Sequence, residues 1–437
     1  MTSNRWVVAA AGTALLSVLG TVYAFSLFTQ PLVAAFGWSR TTATAPFALA
    51  ILFLGAGALV GGRWQDRRGP RPVALAGALL WGAGNVLAGL GTSSLGAWWT
   101  CLSYGAVGGF GIGLGYVTPV ATVAKWFPDR RGLGTGLVVM GFGLGAFVYG
   151  GILDSVPAFA EAARSASEVV RAGGGARLPA AAVDDVMATL ALSGVLFALL
   201  GAACAALVRN PPAAATPAEA GPVAVRPPDP AAVRAAPAAG PAPAYFTPGR
   251  ALRTPQFWSL WAMLFLNVSA GILFISSAVP ILIELTGATP GEASAAYGAV
   301  AVANGLGRLL WGAVSDRVGR NAAFLLVYGT QVAVFATVGG VSSLAVASLL
   351  FAVVLLGYGG GFGTMPSFAA DYFGTRHLGA IYGVLLTAWA AAGLVGPFFA
   401  ARVRDATGSY AGALPVVAAV LAAAAVLPAV TRRPRAH

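Results

Sequence analysis

Apolar stretches recur along the whole chain, each closed by a short polar break or by a Gly- or Pro-bearing turn. They lie near residues 6–29, 39–61, 72–92, 95–124, 133–153, 186–207, 256–285, 293–313, 322–340, 343–372, 378–401 and 411–431. Each is long enough to cross a bilayer as a helix, which takes about 20 residues. None shows the ten-residue in–out alternation of a barrel strand. The pattern predicts an all-α membrane protein with twelve transmembrane helices. The first run continues into SLFTQPLVAAFGW with no small-residue cleavage site, so it is read as a retained span and not a signal peptide. Composition agrees: 58% of residues are hydrophobic and 9% are charged, against about 25% charged in ordinary soluble domains.

One long interruption divides the chain. Residues 209–254 are rich in Pro and Ala, running RNPPAAATPAEAGPVAVRPPDPAAVRAAPAAGPAPAYF from Arg209 to Phe246. No core can be built from such a stretch, and it reads as a disordered or polyproline-like cytoplasmic linker. It separates a six-helix half at 1–208 from a second at 255–437. The halves echo one another. GRWQDRRG (Gly62–Gly69) aligns with GAVSDRVG (Gly312–Gly319) at an offset of 250 residues. WFPDRRGLGTG (Trp126–Gly136) aligns with YFGTRHLGAIYG (Tyr372–Gly383), with one residue inserted. Two echoes at nearly equal offsets point to a duplication, and parallel six-span repeats are a transporter architecture.

A net charge of +12 raises nucleic acid as a partner, but its distribution removes it. If the termini and even-numbered loops share one side, 19 of the 26 Lys and Arg lie there, six lie opposite, and Arg308 is the remainder. That is the positive-inside pattern with both termini cytoplasmic, and it leaves no basic, aromatic surface for nucleic acid. Cys101 and Cys204 lie inside apolar runs as small packing residues, and no cluster with metal-ligand spacing exists. No cofactor motif is present either. The Gly-rich GGFGIGLGYVTP and LLGYGGGFGTMP of the fourth and tenth runs lack the terminal Gly-Lys-Ser/Thr of a phosphate loop and follow no strand. They suit close helix packing.

The sharpest feature is Arg308, inside the eighth run. An unpaired Arg in a membrane span costs about 2.5–3.5 kcal/mol on insertion scales. Snorkelling to the cytoplasmic headgroups is the bland explanation. Direction argues against it: this span runs from outside to inside, and helical side chains lean toward their own N-terminus, here back toward the bilayer centre. Asn304 lies one turn earlier on the same face. No acidic residue lies within the run; Glu292 and Asp316 flank its ends. A buried guanidinium without a protein partner suits a carboxylate, which it binds through two parallel hydrogen bonds. An offset of 246 sets Tyr116 of the fourth run against Phe362 of the tenth, with Tyr358 one turn before it. These aromatics are candidate cavity walls, with interior packing as the alternative. Tyr23 and Gln30 on the first run and Tyr149 on the fifth are weaker candidates.

The motif G-x-x-x-D-R-x-G after the second and eighth runs resembles the signature loop of the major facilitator superfamily. TPQFWSLWAMLFLN, ANGLGRLLWGAVSDRVGR and AIYGVLLTAWAAAGLVGP, in that order, are similar to the oxalate/formate antiporter family, which includes bacterial lactate-type monocarboxylate transporters. The resemblance implies the major facilitator fold in a bacterial inner membrane. It implies that Asp66 and Asp316 each meet a helix N-terminus across the half interface, and that Arg67, Arg71, Arg130, Arg317 and Arg320 brace the cytoplasmic face as gating residues. It implies an anion site at Arg308. The chain departs from the family where the oxalate antiporter carries a second cation, a Lys, in the eleventh span; here Trp389 stands in its place. One remaining cation favours a monovalent carboxylate, with Trp389 as an apolar wall or a packing residue.

The leading expectation is secondary transport of a small monocarboxylate anion, lactate-like, by alternating access and linked to protons. Exchange of the oxalate/formate type is the alternative. Monocarboxylate carriers of mammals, distant relatives, place an Asp where this chain has Asn304, which does not titrate. A multidrug exporter needs a membrane-embedded acid that is missing. No enzyme constellation is legible. A transporter-like sensor or scaffold keeps the fold without transport. Residues 154–185 form a long outer loop in which Glu161, Arg164, Glu168 and Arg171 have the spacing of a short, salt-laced surface helix.

Overall fold

The computed structural model describes residues 4–172, 176–212, 245–409 and 412–434; among them there are helices and loops but no strand. Every apolar run forms a helix. The first span is Arg5–Phe36, with a 3-10 stretch at Thr21–Phe25. The second, third, fourth, fifth and sixth are Arg40–Arg68, Pro70–Leu95, Ala97–Trp126, Arg131–Asp154 and Ala180–Leu207. The seventh and eighth are Pro255–Thr286 and Pro290–Val318. The ninth is Arg320–Thr337 and the tenth Leu344–Phe373. Leu378–Leu385 and Thr387–Thr407 make the eleventh, and Ala413–Val430 the twelfth.

Eleven of these helical stretches are long and apolar enough to cross a membrane. The eighth span is not among them, although its 29 residues suffice in length. It carries Asn304 and Arg308, and it forms because its start is tightly capped. Thr289 accepts from the Glu292 amide while Glu292 accepts from the Thr289 amide at 2.9 Å. Glu292 is thereby spent on a helix end.

Lipid is as apolar as leucine, so spans associate through close packing at small residues. The eighth span lies against the fifth and tenth, the second against the fourth and eleventh, and the third against the sixth. The first Gly of each signature motif makes one of these approaches possible. A Cβ on Gly62 would sit 2.0 Å from the Gly379 carbonyl, and one on Gly312 would sit 2.3 Å from that of Gly132. Outward, Phe147, Leu192, Leu199 and Leu349 are largely exposed apolar side chains, as a lipid-facing surface requires.

The outer loop holds the helix Pro157–Ala172. It is not laced by salt: no ion pair forms along it among the described residues. It is held instead by Phe159 and Ala162 in the main core and by Ala166 beside Ala34 and Leu178. Of the Pro/Ala-rich stretch 209–254, residues 213–244 lie outside the described residues. Its end is structured: Phe246 is buried against Phe373, its amide bonds the Phe373 carbonyl at 3.0 Å, and a short helix follows at Pro248–Leu252. Cys101 and Cys204 are free thiols.

Candidate functional site

Arg308 is completely buried, with 0% exposure. The eighth span brings it against two Gly-rich surfaces. A Cβ on Gly363 of the tenth span would lie 1.9 Å from the Arg308 carbonyl, and one on Gly359 would lie 2.1 Å from that of Asn304. The tenth-span glycines are therefore what lets Arg308 stand at the span interface. Its guanidinium is only partly satisfied. Nε donates to Asn304 Oδ1 at 3.5 Å and Nη1 to the Val139 carbonyl at 3.3 Å, while Nη2 is buried without a partner. The Phe362 and Phe142 rings lie 4.8 and 5.6 Å from Cζ and supply cation–π attraction. No carboxylate among the described residues pairs with it.

Around this cation stands a continuous set of rings. Trp389 contacts Phe362, Phe142 and Tyr116 at centroid distances of 4.7, 5.4 and 5.5 Å. Tyr23 packs on Phe142 at 5.4 Å, and its hydroxyl lies 3.4 Å from that of Tyr358. Tyr382 lies beside Tyr116 and within reach of the Arg308 charge; Tyr116 Oη, Tyr382 Oη and Trp389 Nε1 are buried with no hydrogen bond shorter than 3.5 Å. A buried polar atom without a hydrogen bond costs about 1–3 kcal/mol. Three such donors around one cation, with the cation's own Nη2, make an environment that accepts oxygen lone pairs and negative charge.

Seven of the expected residues thus come together: Arg308, Asn304, Tyr116, Tyr358, Phe362, Trp389 and Tyr23. Gln30 and Tyr149 do not join them. Gln30 is exposed and accepts from Ser167 of the loop helix at 2.9 Å. Tyr149 donates to Ser193 of the sixth span at 2.6 Å and packs on Phe197. Each found a nearer polar partner. Phe142 and Tyr382 were missed. Phe142 has no polar atom to draw attention; Tyr382 lies seven residues before Trp389, two helical turns on the same face, which was the available signal.

The signature turns close the opposite end of the same helices. Asp66 accepts from the Gly379 and Ala380 amides at 3.3 and 2.7 Å, at the N-terminus of the eleventh span. Asp316 accepts from those of Gly132 and Leu133, both at 2.8 Å, at the N-terminus of the fifth. These are carboxylates on the positive ends of helix dipoles. The last Gly of each motif has the left-handed backbone the turn needs, φ 82° at Gly69 and 89° at Gly319. Of the signature arginines, Arg320 braces the cluster: it pairs with Asp316 at 2.8 Å and with Asp371 at 2.7 Å. Arg67, Arg71, Arg130 and Arg317 are exposed and make no ion pair among the described residues. Arg131, not Arg130, crosses to Asp371, at 2.7 Å. Asp371 is thus held by two arginines.

Twelve packed helices around a buried, incompletely paired cation define a polytopic membrane transporter. Residues 10–397 match the model of the Major Facilitator Superfamily, and the chain belongs to that superfamily. It is 27% identical over 398 residues to the oxalate:formate antiporter of Oxalobacter formigenes, across 90% of this chain and 83% of that one. It is 29% identical over 395 residues to apicoplast pyruvate carrier 1 of Toxoplasma gondii, across 80% and 67%. Among solved structures, the superfamily transporter FucP in the outward conformation superposes with a TM-score of 0.71 at 13% identity, over 98% of this chain and 99% of that one. The resemblance drawn from the three span motifs holds, and these two relatives and this structural neighbour are transporters, not enzymes.

Proposed function

We propose that this chain is a secondary transporter of small monocarboxylates, working by alternating access, with Arg308 as the carboxylate anchor. One observation carries the reading. Arg308 Nη2 is buried without a partner, inside a ring of aromatics that holds three further donors without a hydrogen bond. Asn304 steadies the guanidinium, and Tyr116, Tyr358, Phe362, Trp389 and Tyr23 enclose it. With Trp389 where a second cation stands in the oxalate antiporter, charge matching favours one carboxylate per substrate. Two six-span units, 1–208 and 255–437, joined by the linker 209–254, would rock about this site. The charge distribution supports both termini on the cytoplasmic side, and the resemblance to bacterial carriers supports an inner-membrane setting.

Uptake of labelled monocarboxylates into proteoliposomes tests the reading and separates it from a sensor or scaffold. Arg308→Lys should impair uptake strongly, because an ammonium does not reproduce the two-pronged bond. Arg308→Ala should abolish it with expression near normal. Wild-type uptake by the Ala variant would sink the anchor.

The coupling proposed is to protons, travelling with the substrate or through tyrosine hydroxyls such as the Tyr23–Tyr358 pair. Exchange of one carboxylate for another is the second reading. The observation favouring it is that Asn304, and no acid, stands beside Arg308, so no titrating side chain there offsets the cation. Vesicles free of internal anion, given an inward proton gradient, decide: accumulation supports symport, and uptake only after carboxylate preloading supports exchange.

A further inference from the structure

Tyr23 and Tyr358 meet hydroxyl to hydroxyl beside Arg308, one from the first span and one from the tenth. Each sits on a backbone segment gripped by a buried polar side chain. On Tyr23's side, the first span leaves α-helical geometry at Thr21–Phe25, and carbonyls near such a turn are open to other donors. Trp81 of the third span donates its indole N–H to the Val18 carbonyl at 3.2 Å and to Thr21 Oγ1 at 3.3 Å. Thr21 Oγ1 itself donates to the Val18 carbonyl at 2.7 Å. Trp81 is 1% exposed.

On Tyr358's side, Asn267 of the seventh span donates to the Tyr358 carbonyl at 3.1 Å. Gln331 of the ninth span in turn donates to Asn267 Oδ1 at 2.9 Å. Both amides are completely buried. Gly361 leaves the room for Asn267; a Cβ there would lie 2.2 Å from Asn267 Nδ2. The Tyr358 ring rests on Gly271, where a Cβ would lie 1.9 Å from Cδ2.

Trp81 and Gln331 are separated by 250 residues, the offset that relates the two signature turns. Asn267 lies at the same offset from Ser17, next to Val18. The third and ninth spans therefore grip the first and seventh at equivalent places with different chemistry, an indole on one side and an amide relay on the other. Neither Trp81 nor Gln331 reaches the cation. We infer that Trp81 and Gln331 are positioning residues for one latch: each holds one tyrosine of the Tyr23–Tyr358 pair, and the pair couples the first six spans to the last six beside Arg308. The two grips act on each other through that pair. Loosening one side loosens the other only while both hydroxyls are present.

The test compares the full-length protein with Trp81→Phe, Gln331→Leu, Tyr23→Phe and the doubles Trp81→Phe/Tyr23→Phe and Gln331→Leu/Tyr23→Phe. Amide hydrogen exchange is read in peptides spanning residues 21–28 and 355–362. Trp81→Phe keeps one aromatic ring but removes the shared N–H and part of the buried indole's volume, so exchange should rise at least about three- to ten-fold in 21–28, the floor set by one neutral hydrogen bond. A smaller rise should follow in 355–362, and it should vanish when Tyr23 is already Phe. Gln331→Leu should act in the opposite direction along the same path. The two variants enter from different sides, so one that fails to fold leaves the other to decide. A rise confined to the substituted side in the variants that fold, or cross-side effects that persist without the Tyr23 hydroxyl, would overturn the latch and leave Trp81 and Gln331 as local packing. The measurement uses no substrate, so its outcome is independent of the monocarboxylate reading.

Discussion

The two signature turns are built from the same motif and do the same first job, yet the charges set around them differ. At both, a Gly lets two helices touch, an Asp one turn later caps the facing helix, and a positive-φ Gly ends the turn. At the Asp316 turn, the next residue is Arg320, which ties Asp316 to Asp371, and Arg131 ties Asp371 back to the fifth span. At the Asp66 turn, the equivalents are Pro70 for Arg320 and Lys125 for Asp371, and Leu378 precedes Gly379 where Arg131 precedes Gly132. One closure thus rests on caps plus a four-charge cluster joining spans five, eight, nine and ten; the other rests on caps, with Lys125 nearby. We expect the Asp316 closure to be the tighter of the two, and the Asp66 closure to open first.

The largest effect should come from Asp316→Ala. It removes two charge-assisted hydrogen bonds and leaves Arg320 with one partner fewer, together about 3 kcal/mol in a partly buried setting. Hydrogen exchange at the start of the fifth span should rise on the order of a hundredfold. An unchanged rate there would remove Asp316 from any gating role. Next comes Asp66→Ala, which loses its caps and its attraction to Lys125 and His377 but no arginine cluster, about 1–2 kcal/mol. The start of the eleventh span should then exchange faster, by less than the fifth span gains in the first variant. The reverse ranking would mean that the cluster does not matter.

Asp371→Asn addresses the bracing alone. Both caps stay, while Arg320 and Arg131 lose their shared anion. Ion pairs with partial exposure contribute up to about 1 kcal/mol, so the fifth-span start should loosen several-fold and the eleventh not at all. Raising salt should shrink this difference, since screening weakens exposed pairs. Equal responses at both turns would show that the closures are not independently held.

Some of this was legible in the chain and some was not. The twelve spans were, because apolar length is set by bilayer thickness and needs no tertiary information. The caps were legible through the resemblance to the superfamily's signature loop, which the chain carries twice in register. Arg308 was, because a charge in an apolar run is conspicuous. Asp371 was not: its partners come from other spans, and at a helix end it is indistinguishable from a surface charge. Tyr149 and Gln30 misled for the converse reason, since a polar atom on an inward-facing run takes the nearest partner, and Ser193 and Ser167 were nearer than the cation. Phe142 shows that a cavity wall with no polar atom leaves no mark in one sequence.

The smallest expected effect is also the most direct test of the comparison, because it transfers the brace. Pro70→Arg with Lys125→Asp would give the Asp66 turn the residue types that Arg320 and Asp371 give the other. Pro70→Arg alone sets a guanidinium next to Asp66 but costs a helix-starting proline, which is well placed at that position. Lys125→Asp alone brings a second carboxylate toward Asp66 and removes a cation near it, so it should loosen the turn. Only the pair completes an Asp–Arg–Asp chain, and Leu378 leaves it one arginine short of the original. The expected net gain is about 0.5 kcal/mol, a roughly two-fold slowing of exchange at Gly379 and Ala380 relative to wild type. Slowing in the double variant, with loosening in Lys125→Asp, would establish the cluster as a transferable brace. If the double variant loosens as much as Lys125→Asp does, the charges at the Asp316 turn are bystanders to its caps, and the difference between the two closures must lie in the packing around Gly132 and Gly379.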